Sequence, residues 1–171
     1  MLNFTLAAGA QIAEIVGAVS IVGGLVFGLF QIRFFRAQQR DAVAANLTQT
    51  FYNRDLAHAL ALIQQLPDGI SLQALRERGP EYVAAAVTVT TSFETMGLLV
   101  FKRIAPLSLV LDLAGGIIGV MHGKLHQWQE DTRIAQNQPS WGEWFEWLGE
   151  QASQHKLATP PAHRRFRDWQ P

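Results

Sequence analysis

Ile15 to Phe30 reads IVGAVSIVGGLVFGLF, a run in which Ser20 is the only polar side chain. Widened to residues 12–32, the stretch holds one ionisable group, Glu14, at its leading edge. Its length is about the twenty residues that a helix needs to cross a hydrocarbon core. A cleaved secretory signal would begin with basic residues and end at a small-residue cleavage site. Here the basic residues follow the apolar run, at Arg33, Arg36 and Arg40, and helix-compatible sequence continues beyond them. The expectation is therefore a retained, single-pass transmembrane helix at 12–32, after a short extracytoplasmic N-terminus at 1–11. Because the arginines lie only on its C-terminal side, the positive-inside bias puts the N-terminus outside and the rest of the chain in the cytoplasm.

Gly17, Ser20, Gly24 and Gly28 recur at spacings of three and four, so they share one face of that helix. Gly24 and Gly28 make a GxxxG pair, which lets two backbones approach closely in lipid. Homo-oligomerisation, or pairing with the span of another membrane protein, is the functional reading of this face. The general abundance of glycine in membrane spans is the bland one.

Composition sharpens the picture. Only 16% of the 171 residues are charged, against about 25% for an ordinary soluble domain. Lys and Arg total 14 and Asp and Glu total 14, so the chain lacks the net basic footprint of a nucleic-acid binder. There is no cysteine, which removes disulfides and thiolate metal sites.

Past residue 32 the pattern is helical and clearly punctuated. Asn53 and Asp55 are cap-type residues ahead of Leu56, Ala59, Leu60 and Ile63, which are apolar at helical spacing. Leu66-Pro67-Asp68-Gly69 is a turn, and Ser71 caps a short helix that stops near Gly79. Pro80 suits the first turn of a helix running to about Arg103, with Val83, Val87, Thr90, Glu94, Gly97 and Phe101 on one face. Pro106 marks another start, followed by apolar sequence from Leu107 to Met121. Ser140 and Glu143 have the spacing of a capping box for a last helix rich in aromatics. No useful strand alternation appears. The fold class is all-α: the transmembrane helix, an antiparallel helical-bundle domain at 33–155 and a basic flexible tail at 156–171. A second span at 104–121 is disfavoured, because Asp112 would sit near the bilayer centre at about 3 kcal/mol. It would also export the basic residues that follow. A buried core helix explains the same apolarity.

Certain residues carry a resemblance. The run Ser92-Phe93-Glu94-Thr95-Met96-Gly97-Leu98-Leu99-Val100 is followed by Leu109-Val110-Leu111-Asp112-Leu113. Arg133 and Trp144-Phe145-Glu146-Trp147-Leu148 come after them, all behind an N-terminal anchor. Over about residues 20–153 this resembles the bacterial DUF4760 family of helical proteins. The resemblance implies a helical fold and, in some members, a membrane-anchored habit; the expected location is the bacterial inner membrane. It brings no assigned residue and no activity.

Glu94 and Asp112 each lie in an apolar stripe, where an ionised carboxylate needs a partner, and Arg103 and Arg133 are the candidates. The structural reading is a buried polar network of these four residues. The functional reading makes them the polar floor of a ligand pocket. His122 and His126, four apart on one face, could ligate a metal, but no HExxH or ExxH pattern supplies further ligands. No GxSxG occurs, and Gly115-Gly116-Ile117-Ile118-Gly119 lacks the strand and GK[ST] of a phosphate loop. No cofactor and no enzymatic activity are expected. Trp141, Trp144 and Trp147 occupy more than one face of the last helix, so part of that aromatic surface is a candidate contact. The leading expectation is a non-enzymatic, membrane-tethered interaction module. The alternative is a small-ligand or metal sensor built on Glu94, Asp112, His122 and His126.

Overall fold

The computed structural model describes residues 17, 19–35, 45, 49 and 53–170, and among them every regular element is a helix. The chain divides into two compact units, Met1–Ala42 and Val43–Pro171.

In the first unit, α1 runs over Val19–Phe35 and is apolar. Its large side chains, Ile21, Leu25, Phe27, Leu29 and Phe30 among them, are about two-thirds exposed. Gly17, Gly24 and Gly28 are open on their Cβ side. The expected span at 12–32 falls partly outside the described residues, which omit 12–16 and 18. As described, α1 is shorter than the membrane-crossing length.

The second unit comprises α2 (Arg54–Gln64), α3 (Leu72–Arg78), α4 (Pro80–Phe101), α5 (Leu107–Gln136), α6 (Glu143–Ala158) and α7 (Ala162–Arg165). Local signals account for most of the boundaries. Asn53 accepts from the Asp55 N–H at 2.8 Å, and Ser71 Oγ accepts from the Ala74 N–H at 3.2 Å, so both caps form as their sequence indicates. Pro80 opens α4 and Pro106 precedes the first residue of α5. The turn after α2 is pinned to the middle of α5. Gly69 and Ile70 donate their amides to the Gly123 and Lys124 carbonyls, and Lys124 Nζ reaches the Leu66 carbonyl. α5 ends at Asn137, whose left-handed backbone (φ 52°) lets its N–H return to the last turn.

α6 packs on both α4 and α5, while α2 lies against α4 and α3 touches both long helices. The core follows from that arrangement: Leu56 and Ile63 from α2, Val89, Phe93 and Met96 from α4, Ile118, Met121, Leu125 and Trp128 from α5, Phe145 and Leu148 from α6. Each large side chain so buried contributes about 1.5–3 kcal/mol. α4 and α5 are long and apolar enough to cross a membrane by length and composition. Both bury one face inside the bundle, and residues 107–121 form the first half of α5 with Val110, Leu111, Ala114, Ile118 and Met121 buried. The expected flexible tail begins within α6, which continues to Ala158 and stops before Pro160 and Pro161.

Candidate functional site

Three polar side chains inside the bundle, Glu94, Gln129 and Arg133, converge on the start of α6. Gln138, Pro139, Ser140 and Trp141 lead into Gly142, which takes a left-handed backbone (φ 72°) as the N-cap. A side chain there would meet the Gln129 amide, so both conformation and space favour glycine. The capping box expected from Ser140 and Glu143 does not form: α6 begins at Glu143 and no local side chain caps it. The cap arrives instead from α4. Glu94 reaches across the helix interface and accepts the Phe145 N–H at 2.8 Å, and the Trp144 amide also supports its carboxylate. An anionic group at a helix N-terminus satisfies orphan donors and complements the dipole.

Arg133, on α5, secures the same turn from the opposite side. Its Nε donates to the Trp141 carbonyl at 2.8 Å, and its two terminal nitrogens pair with Glu130 and Glu146 at 2.6 Å each. Burial disfavours its charge, yet Glu146 and then Glu130 outweigh that and hold the guanidinium ionised. Gln129, buried below, points its amide at the Gly142 carbonyl at 3.5 Å.

The four-residue network expected from sequence is thus split. Glu94 and Arg133 meet on either side of the α6 start, while Arg103 and Asp112 are exposed and lie elsewhere. Arg103 occupies the α4–α5 corner with φ 58°, and Asp112 lines a groove of about 270 Å³ between α5 and the end of α6, opposite His155, Lys156 and Arg165. His122 packs against Gly149 and presents its ring edgewise to Phe145 at 6.1 Å, while His126 is exposed and anchored to the Gly123 carbonyl. Burial lowers the His122 pKa in spite of Glu146 and Glu150. Among the described residues no group of three or more His, Asp or Glu side chains is arranged to hold a metal ion. Trp141 packs on Trp128 at 4.9 Å. Trp144 and Trp147 gather round Phe101 at 4.3 and 6.3 Å, all three tryptophans remaining half-buried.

Burial raises the Glu94 pKa above its ordinary 4.5, outweighing the Phe145 and Trp144 amides that favour the anion. The sign follows from linkage: a carboxyl that holds its proton more tightly when folded supports the fold most below its unfolded pKa. That support is lost as pH rises through the folded value. Glu94→Gln keeps an acceptor for Phe145 without a charge to desolvate. Urea unfolding from pH 4 to 7 is expected to show the stability of the native chain, relative to Glu94→Gln, declining as pH rises. A difference that grows with pH would sink the desolvation argument. Glu94→Ala, which removes the cap, is expected to cost about 1–2 kcal/mol.

Among the described residues these features define an all-α protein in which Glu94, Gln129 and Arg133 together fix the start of one helix. The chain belongs to the DUF4760 family, described as a domain of unknown function, whose profile matches residues 18–152. No curated protein and no solved structure matches it.

Proposed function

We propose that the chain is a membrane-tethered, non-enzymatic interaction module that associates with itself or with a protein partner at the inner membrane of a bacterium. The observation that carries this reading is α1, whose apolar side chains are exposed on every face. Water would charge about 25 cal/mol for each Å² of such surface, and lipid removes that cost. Arg33 and the arginines after it favour a cytoplasmic second unit. The open Gly24 and Gly28 face supplies a surface on which two such helices can meet. Glu94 and Arg133 are engaged with backbone and with each other's neighbours, which supports a structural role for them over a catalytic one.

Co-purification from native membranes in mild detergent tests the reading. A stoichiometric second protein, or a multimer of this chain that Gly24→Ile/Gly28→Ile reduces to a monomer, is the expected result. A monomer without partners would refute it. Ser153 is exposed, so a cysteine placed there reports orientation: an impermeant maleimide should label it only after the cells are opened.

A further inference from the structure

We propose that the outward face of α4, with the corner that ends it, rests on the bilayer interface. In this arrangement Phe101 and Ile104 enter the acyl boundary while Lys102 and Arg103 engage anionic headgroups. The inference rests on reading α1 as an anchor and names a second surface that meets the same membrane.

Val87, Thr91, Thr95, Leu98 and Lys102 follow at spacings of three and four along α4, and all are exposed. The threonine hydroxyls do not face outward for a partner. Thr91 donates to the Val87 carbonyl and Thr95 to the Thr91 carbonyl, both at 2.9 Å. The face therefore offers methyl groups and aliphatic chains with its polar atoms already satisfied, the condition that a lipid surface demands and water does not. Between Glu81 and Lys102 the helix has a single charge, Glu94, and that is turned to the α6 amides.

The corner adds what a plain apolar stripe lacks. Ile104 returns its N–H to the Leu99 carbonyl at 3.0 Å, closing α4 with Arg103 in the left-handed position that glycine usually fills. The result leaves Phe101 53% and Ile104 55% exposed beside two cations, with Lys102 Nζ 5.9 Å from the Phe101 ring. Trp144 and Trp147 back Phe101 from inside. Adjacent large apolar tips, half-buried tryptophans and a basic pair fit an anionic interface. Short of Lys102 at its end, the stripe offers a protein partner no free hydroxyl donor to read, because Thr91 and Thr95 spend theirs on the helix's own carbonyls.

The tryptophans permit a direct test, because all five lie in the second unit and α1 has none. The full chain, in a Trp169→Phe background, is placed in nanodiscs containing phosphatidylserine and a lipid brominated near the headgroup end of its acyl chain. Tryptophan emission is expected to be quenched. The quenching should be lost in Phe101→Ser/Ile104→Ser and reduced in Lys102→Glu/Arg103→Glu, whose substituted side chains are all exposed. A chain that floats with the discs but is not quenched, or is quenched equally in both variants, overturns this proposal and leaves the anchor standing. A chain that does not float overturns both.

Discussion

Gly97→Val is expected to destabilise the helical unit by about 3 kcal/mol, the upper end of what overpacking costs, because the contact is with backbone. A Cβ on Gly97 would collide with the Trp144 carbonyl and press on the carbon that bears it. Neither atom belongs to a side chain that can rotate aside. Relief would require α6 to move off α4, and Phe93, which meets Phe145 at 5.3 Å, and Phe101, which meets Trp144 at 4.3 Å, would lose their partners together. Alanine in place of glycine gains up to about 1 kcal/mol in a free helix, so propensity and packing oppose each other here, and packing wins. Gly116 in α5 is the control, since nothing lies within 4 Å of a Cβ there. Gly116→Ala should raise stability by about 0.4–1 kcal/mol. Urea unfolding of the purified chain in mild detergent, read by tryptophan emission, measures both. If Gly97→Val unfolded at the native midpoint, the close α4–α6 approach would be wrong.

That approach also separates what the residues announce from what they conceal. Asn53, Ser71, Pro80 and Pro106 mark helix starts through interactions within a turn of themselves, and the structure has them where the sequence puts them. The start of α6 is different. Ser140 and Glu143 have the right spacing for a cap, yet the cap is Glu94, 51 residues before the Phe145 amide that it accepts. No local pattern carries that information. As a carboxylate in an apolar stripe Glu94 calls for a partner, and arginines are the obvious counter-charges in the sequence. Its partner is a backbone amide, exposed because a helix begins there. Asp112 lies in an apolar stripe of the sequence with Arg103 as a candidate counter-charge, but helix phase turns Asp112 outward and the α4–α5 corner leaves Arg103 exposed. Gly97 was legible as a member of a face but not as the point where α6 crosses it.

Arg133→Ala should be comparably costly, at about 2–3 kcal/mol, although two of its three partners are carboxylates that water reaches. Its own side chain is only 12% exposed, whereas Glu130 and Glu146 are 52% and 40% exposed. Solvent would rehydrate both acids after the substitution, so the 3–5 kcal/mol typical of an orphaned buried charge is an upper bound. The remaining cost lies in the Trp141 carbonyl, which loses a charged donor worth about 1.5–3 kcal/mol. Arg133→Lys is expected to recover only part, because one ammonium cannot span three acceptors that a planar fork reaches at once. Glu130→Gln removes an i,i+3 pair and should cost no more than about 0.5 kcal/mol. An Arg133→Ala stability within about 0.5 kcal/mol of the native chain would show that the guanidinium is surface decoration. The stronger consequence is coupling. Arg133 holds the residue before Gly142, and Glu94 holds the amide three residues after it, so both anchors restrain one turn. Once either is removed and the turn frays, the other has less to hold. Arg133→Ala/Glu94→Ala should therefore be less destabilising than the sum of the two single changes, although their side chains share no bond.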